Sequence, residues 1–315
     1  MRALRTLIAV LLAGCGPLQL LVPPASHLDP ARAGPDYEVQ GDYAGVDPPM
    51  GAQVVALGDD EFEAVLYRGG LPGAGWDRTE RVRAPGARRD DGRVTFEGAV
   101  QLAYEGGALV GTMPEGTPVK LGPFERRSPT LGARPPPGAV IVFRGSTRNV
   151  DGEVDGDGNL KAGASSRDEF RDFDLHLEFR TPFTPDGRGQ FRGNSGVYLQ
   201  DRYEVQVLDS FGLPEKDDDC GGIYDVAAPE VNMAYPPLRW QTYDVSFTAA
   251  RFDEAGEKTA NARVTVLHNG VRIHDDVEIP GPTGGGAAEE DTPGPVYLQD
   301  HWNPVVYRNV WVVPR

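Results

Sequence analysis

The 315-residue chain is 39% hydrophobic and 25% charged, enough apolar material for a sizeable core and too much for wholesale disorder. Its 40 glycines and 28 prolines, about a fifth of all residues, exclude a helical bundle, and their irregular spacing excludes collagen. A net charge of −16 repels phosphate backbones and anionic lipid, so nucleic acid is not an expected partner.

In chain order, residues 1–14 read as an export signal: Arg2 and Arg5, then an apolar run too short for a permanent membrane helix. The run Leu12-Ala13-Gly14-Cys15 is similar to the bacterial lipobox, in which the cysteine becomes the lipidated first residue of the mature protein. Lipid on Cys15 would make the membrane a place of attachment only, in the periplasm or at the outer membrane. It would also leave Cys220 alone, with no intrachain disulfide. Residues 15–40 are rich in Pro, Ala and Gly and read as a flexible tether.

Between residues 41 and 127, short alternating runs such as Phe62-Glu63-Ala64-Val65-Leu66-Tyr67 are bounded by Gly, Asp or Pro. They predict a small β-rich domain, with no catalytic signature. Its glycine-rich stretch, Gly69–Trp76, lacks the Lys-Ser/Thr ending of a phosphate loop and reads as a turn. Residues 128–138 hold Pro129, Pro135, Pro136 and Pro137 and read as a stiff linker.

From residue 139 to 315 the strand signals strengthen. Leu175, Leu177 and Phe179 alternate with His176, Glu178 and Arg180, and Val205 and Val207 alternate with Glu204 and Gln206. Regular turns without amphipathic helix patterns predict an all-β fold, a sandwich of two antiparallel sheets. The outward residues have solvation as their ordinary fate. Yet carboxylates, amides and an arginine mixed with Tyr198 and Tyr203 make the kind of surface that holds sugars, by ring stacking and planar hydrogen bonds.

Metal and nucleophile signatures are weak. The oxygen-rich run Asp151–Asn159 has Ala162 where a calcium loop needs Glu, and its Asp157-Gly158 reads as a hairpin turn. Asp217-Asp218-Asp219 reads as a solvated acidic loop. With no HExxH, paired-cysteine or Gly-x-Ser-x-Gly spacing, neither zinc nor a serine nucleophile is expected, and no cofactor is implied. His268 and His274 flank Asn269-Gly270, a type I′ hairpin signal, and read as structural cross-strand neighbours. His301, at a strand end among polar neighbours, is the best candidate general acid or base, because imidazole titrates near neutral pH.

Several segments together resemble one family: Phe173–Arg180, Gly193–Gln200, Tyr203–Ser210, Cys220–Tyr224, Trp240–Tyr243, His268–Val271, Leu298–His301 and Tyr307–Asn309. They look like the 3-keto-disaccharide hydrolase domain, over about residues 138 to 315. The resemblance implies a concanavalin A-like jelly roll and a substrate whose glucose unit is a ketone at carbon 3. Such a ketone acidifies the C2 proton, so a base can remove it and the C1 substituent can leave by elimination, followed by hydration. Ordinary hydrolysis needs two carboxylates about 5 to 9.5 Å apart; Glu204-Val205-Gln206 supplies one and an amide.

On this reading Glu204 and His301 divide the base and acid roles. Arg308, Gln206 and Gln299 stabilise the enolate oxygen, and Asn194, Tyr198 and Glu178 contact the sugar. The plainer alternatives are a β-edge salt bridge for Arg308 and a turn for Asn194-Ser195-Gly196. Two rival functions stand beside it: a carbohydrate-binding module without activity, and an ordinary β-glucan hydrolase.

Overall fold

A computed structural model describes residues 24–79 and 81–315. The segment expected to be an export signal, and Cys15, lie outside them. Residues 41–123 form a closed antiparallel barrel of β1 (Gly41–Val46), β2 (Pro49–Gly58), β3 (Glu61–Arg68), β4 (Arg81–Arg88), β5 (Val94–Phe96), β6 (Gln101–Glu105), β7 (Ala108–Thr112) and β8 (Pro118–Pro123). Alternation turns Val54, Ala56, Phe62, Leu66, Phe96 and Leu121 inward, where they are buried. The barrel's interior is thus filled by side chains. The glycine-rich loop after β3 is a turn that folds Trp76 against Tyr67, with ring centroids 5.2 Å apart.

The described part of the expected tether is packed. Helix α1 (Pro35–Val39) follows a 3₁₀ turn at Pro30–Arg32, and Ala33 and Val39 are buried in the barrel's apolar cluster. Gln40 Oε1 accepts a hydrogen bond from the Ala56 amide at 3.0 Å. One helical turn is too short to show a period, so only the barrel surface reveals which of its side chains are apolar anchors.

The second half is a jelly-roll sandwich. Its strands are β9 (Val140–Phe143), β10 (Val150–Asp151), β11 (Leu160–Lys161), β12 (Ala164–Ser166), β13 (Phe173–Arg180), β14 (Ser195–Leu199), β15 (Tyr203–Val207), β16 (Gln241–Thr248), β17 (Arg251–Phe252), β18 (Lys258–Ala260), β19 (Ala262–His268), β20 (Val271–Ile279), β21 (Tyr297–Leu298) and β22 (Val306–Pro314). One sheet has five strands in the order β10-β12-β21-β14-β15. The other has seven, β11-β22-β13-β16-β19-β20 with β9 also on β22, while β17 and β18 form a separate ribbon. Leu175, Leu177 and Phe179 from β13 meet Val197, Val205 and Val207 from β14 and β15 in one core between the sheets.

Two turns match their residues. Asp155 Oδ1 accepts from the Asp157 and Asn159 amides at 2.9 and 2.8 Å, so this aspartate holds a hairpin. Asn269 and Gly270 both have positive φ, 52° and 78°, as a type I′ turn requires. Bulges in β19 shift the register, so His268 faces Val271 and His274 faces Val266 rather than each other.

Residues 128–133, expected to be linker, form a strap across the outward face of the seven-stranded sheet. Ser128 Oγ lies 2.7 Å from Thr242 Oγ1, Thr130 Oγ1 donates to Asp244 at 2.7 Å, and the Gly132 amide donates to Glu178 at 2.7 Å. The barrel docks on the loop between β13 and β14. Phe183, from the loop after β13, sits fully buried in the barrel's cluster. Arg192 pairs with Asp209 at 2.8 Å and donates to the Ala56 carbonyl at 3.2 Å.

Candidate active site

Glu204 lies on the outward face of the five-stranded sheet. Its neighbour in register is Tyr198, and Gly196 faces Gln206 two pairs along. A Cβ at position 196 would overlap Glu204 Oε1, so the glycine is the seat in which the carboxyl lies. The sheet's edge is covered: the Glu204 amide donates to Thr283 Oγ1 at 2.8 Å and its carbonyl accepts from the Tyr224 amide at 3.2 Å. Glu204, Gln206, Tyr198 and Asn194 are consequently buried rather than solvated.

Among the described residues, Glu204 has a single side-chain partner. The Tyr198 hydroxyl is 2.6 Å from the Gly284 carbonyl and 2.9 Å from Glu204 Oε2. The phenol is thus shared between two acceptors, the Gly284 carbonyl at the shorter distance and the Glu204 carboxyl at the longer. Gln299 Nε2 donates to the same phenol at 3.2 Å. Burial pushes Glu204 up to about 8, opposed by the hydrogen bond that Tyr198 donates and assisted by the negative charge of Asp225.

Around this carboxyl the polar groups are incompletely paired. Glu204 Oε1, Gln299 Oε1 and Asn194 Oδ1 are buried without a protein partner. Asn194 Nδ2 donates to Gln190 Oε1 at 2.6 Å, Gln206 Nε2 donates to the same oxygen at 3.2 Å, and Gln190 Nε2 donates to the Asp218 carbonyl at 2.9 Å. Next to Asp218, Asp219 is buried with Oδ2 unpartnered, and burial plus the neighbouring Asp218 push it up to about 6. Sequence reasoning missed Gln190, which sits in an aperiodic 3₁₀ turn, and read Asp219 as part of a wet charge run.

His301 is half-buried two residues beyond Gln299, with its Nδ1 unpartnered. Its carbonyl accepts from Asn303 Nδ2 at 2.8 Å, and Asn303 Oδ1 accepts from the Gly193 amide at 2.9 Å, which fixes the His301 turn beside Asn194. Six of the sequence-derived residues therefore share one neighbourhood: Glu204, His301, Gln206, Gln299, Asn194 and Tyr198.

Glu178 and Arg308 do not belong to it. They face each other in register on β13 and β22, outward from the seven-stranded sheet, on the opposite side of the core. Arg308 Nε donates to Glu178 Oε2 at 2.7 Å, and its guanidinium stacks on Trp240 at 4.0 Å. The salt-bridge alternative holds for Arg308, and neither residue can reach a sugar at Glu204. His176 Nδ1 is 2.6 Å from Asp244, and Asn309 Nδ2 donates to Glu178 Oε1 at 3.0 Å. Although burial raises Glu178, the bonds from His176, Arg308, Asn309 and the Gly132 amide hold it near 2. Among the described residues no group of three His, Cys, Asp or Glu is arranged as a metal site.

Residues 130–313, more than half of the chain, match the family model described as a 3-keto-alpha-glucoside-1,2-lyase-like domain. The barrel lies outside the match. The chain is also similar to a proposed glycosyl hydrolase of Parabacteroides distasonis ATCC 8503, solved at 2.13 Å, with 31% identity and a TM-score of 0.52. That similarity covers 57% of this chain and 84% of the other. A second structure so described from the same organism, at 1.70 Å, is 17% identical over 56% of this chain and 94% of its own, with a TM-score of 0.40. No curated protein matches the chain.

Proposed function

The chain belongs to the 3-keto-alpha-glucoside-1,2-lyase-like domain family, and we propose that it cleaves glycosides whose glucose unit carries a ketone at carbon 3. His301 takes the C2 proton and the electron pair moves onto the C3 oxygen as an enolate. Gln206, Gln299 and Asn194 stabilise or orient the keto ring. The enolate collapses to a C1–C2 double bond and a restored ketone, the C1–O bond breaks, and Glu204 protonates the departing oxygen. Water then adds across the double bond. Export and lipid on Cys15 would place this chemistry in the periplasm or at the outer membrane.

The observation that carries the reading is the buried Glu204 carboxyl, which burial pushes up to about 8 and which keeps one oxygen unpartnered beside amides in the same condition. A neutral acid suits protonation of a leaving group and does not suit nucleophilic attack. Asp219 supports one rival: with a second buried carboxyl nearby, two-carboxylate hydrolysis of an unoxidised glycoside becomes chemically feasible.

A chromogenic 3-keto-glucoside and its unoxidised parent separate the readings. Release from the keto compound alone is expected. Release from both points to conventional hydrolysis, and binding without release from either makes the domain a recognition module.

A further inference from the structure

Trp302 is 66% exposed and holds a backbone φ of +58°, a region that side chains larger than glycine rarely occupy. The strained turn is held from both sides. The Trp302 amide donates to Asp300 Oδ1 at 2.9 Å, and Asn303 ties the following residue to the Gly193 amide at 2.9 Å. A fold that only needed a turn here would be better served by glycine. The turn instead lifts a large flat ring into solvent, with its centroid 5.2 Å from that of His301. The ring forms one wall of a groove of about 700 Å³, lined also by Leu28, Asp155, Lys161, Asp300 and Pro304. An apolar plate bordered by carboxylates and an ammonium group matches the face and hydroxyl rim of a sugar ring.

The site fixes the direction in which substrate leaves it. At the Glu204 end the face is shut by Thr283, the Gly284 carbonyl and Tyr224. At the His301 end the residues on either side of it, Asp300 and Trp302, are both exposed. C1 and C2 are adjacent atoms, so acid and base both stand at the scissile bond, and the second ring of a disaccharide extends over His301.

We infer that Trp302 is a specificity-determining platform that stacks on the ring attached through the scissile oxygen, selecting disaccharides and aryl glycosides over glycosides of small alcohols. The identity of the bond that is cut rests on the 3-keto-glycoside reading; the stacking does not.

The test compares wild type with Trp302→Gly and Trp302→Phe. Glycine suits the positive φ, so W302G is expected to melt no lower than wild type. The ratio of kcat/KM for a 3-keto disaccharide to that for methyl 3-keto-glucoside is expected to fall about tenfold in W302G, through KM, and to recover in part in W302F. Calorimetric titration with the unoxidised disaccharide should show affinity about tenfold weaker for W302G, whether or not the protein turns over keto sugars. If the wild type cleaves neither glycoside but W302G still binds more weakly, the function reading fails and the platform stands. An unchanged ratio and unchanged affinity in a folded W302G overturn the platform, as does a lowered melting temperature, which would mean that the indole packs rather than binds.

Discussion

The sandwich carries two buried glutamates on two alternating strands, one on each outward face, and they end in opposite states. Glu178, on β13, is surrounded by His176, Arg308, Asn309 and the Gly132 amide and is held near 2. Glu204, on β15, has one phenol as its side-chain partner, an unpartnered Oε1, and is pushed up to about 8. Burial acts on both in the same direction, so depth does not explain the difference; the supply of hydrogen-bond donors does. A carboxylate with its donors in place is a structural member. A carboxyl denied them keeps its proton and can deliver it to something that enters.

The comparison can be broken most decisively at Glu204. Glu204→Gln is expected to lower turnover about 10²- to 10⁴-fold, with thermal stability retained, because an amide replaces an already neutral group. The pH arms have opposite signs. With its folded value above the unfolded 4.5, Glu204 contributes stability that is present at low pH and lost as pH rises toward about 8. Substitution by Gln should flatten that slope, on the order of a few kcal/mol across the window, and activity of the wild type should decline above about 8. Urea titrations at several pH values measure the first and a rate profile the second.

On the other face, Glu178→Gln should cost about 2–3 kcal/mol, since Arg308 and His176 lose their counter-charge inside a covered network. Turnover is expected to survive in the protein that remains folded, and a loss comparable to that of Glu204→Gln would overturn the assignment of the two faces. Glu178, lowered rather than raised, contributes stability above about 4.5 that is lost as pH falls toward 2, so this substitution should remove acid sensitivity instead. The smallest effect is expected from Arg308→Lys, about 0.5–1 kcal/mol in chemical denaturation, because lysine keeps the charge but not the flat fork that meets both Glu178 and Trp240.

What could be read from the sequence follows from what alternation encodes. A period of two tells which side chains of Asp174–Arg180 and Tyr203–Asp209 enter the core, and the structure agrees in both strands. It does not tell on which sheet a strand lies. That depends on pairings between distant segments, such as Glu178 with Arg308, and for this reason the sequence-derived site mixed two faces. Glu204, Tyr198, Gln206 and Gln299 came together because two of their three strands form a hairpin and the third pairs beside them. Gln190 was missed and Asp219 misread because both sit on irregular backbone, half-buried in the first case and buried in the second. Burial of irregular segments leaves no periodic trace, as the strap at residues 128–133 and the packed turn at 30–40 show in the same way.

Phe183 has a consequence for where this protein begins as a physical object. The residue lies within the family-matched segment, yet its ring completes the barrel's interior. Cutting the chain at the edge of the match would strand an aromatic in water on one piece and open a void in the other, so the two halves should melt as one. The stretch shared with relatives is a unit of descent, and the unit of folding is longer.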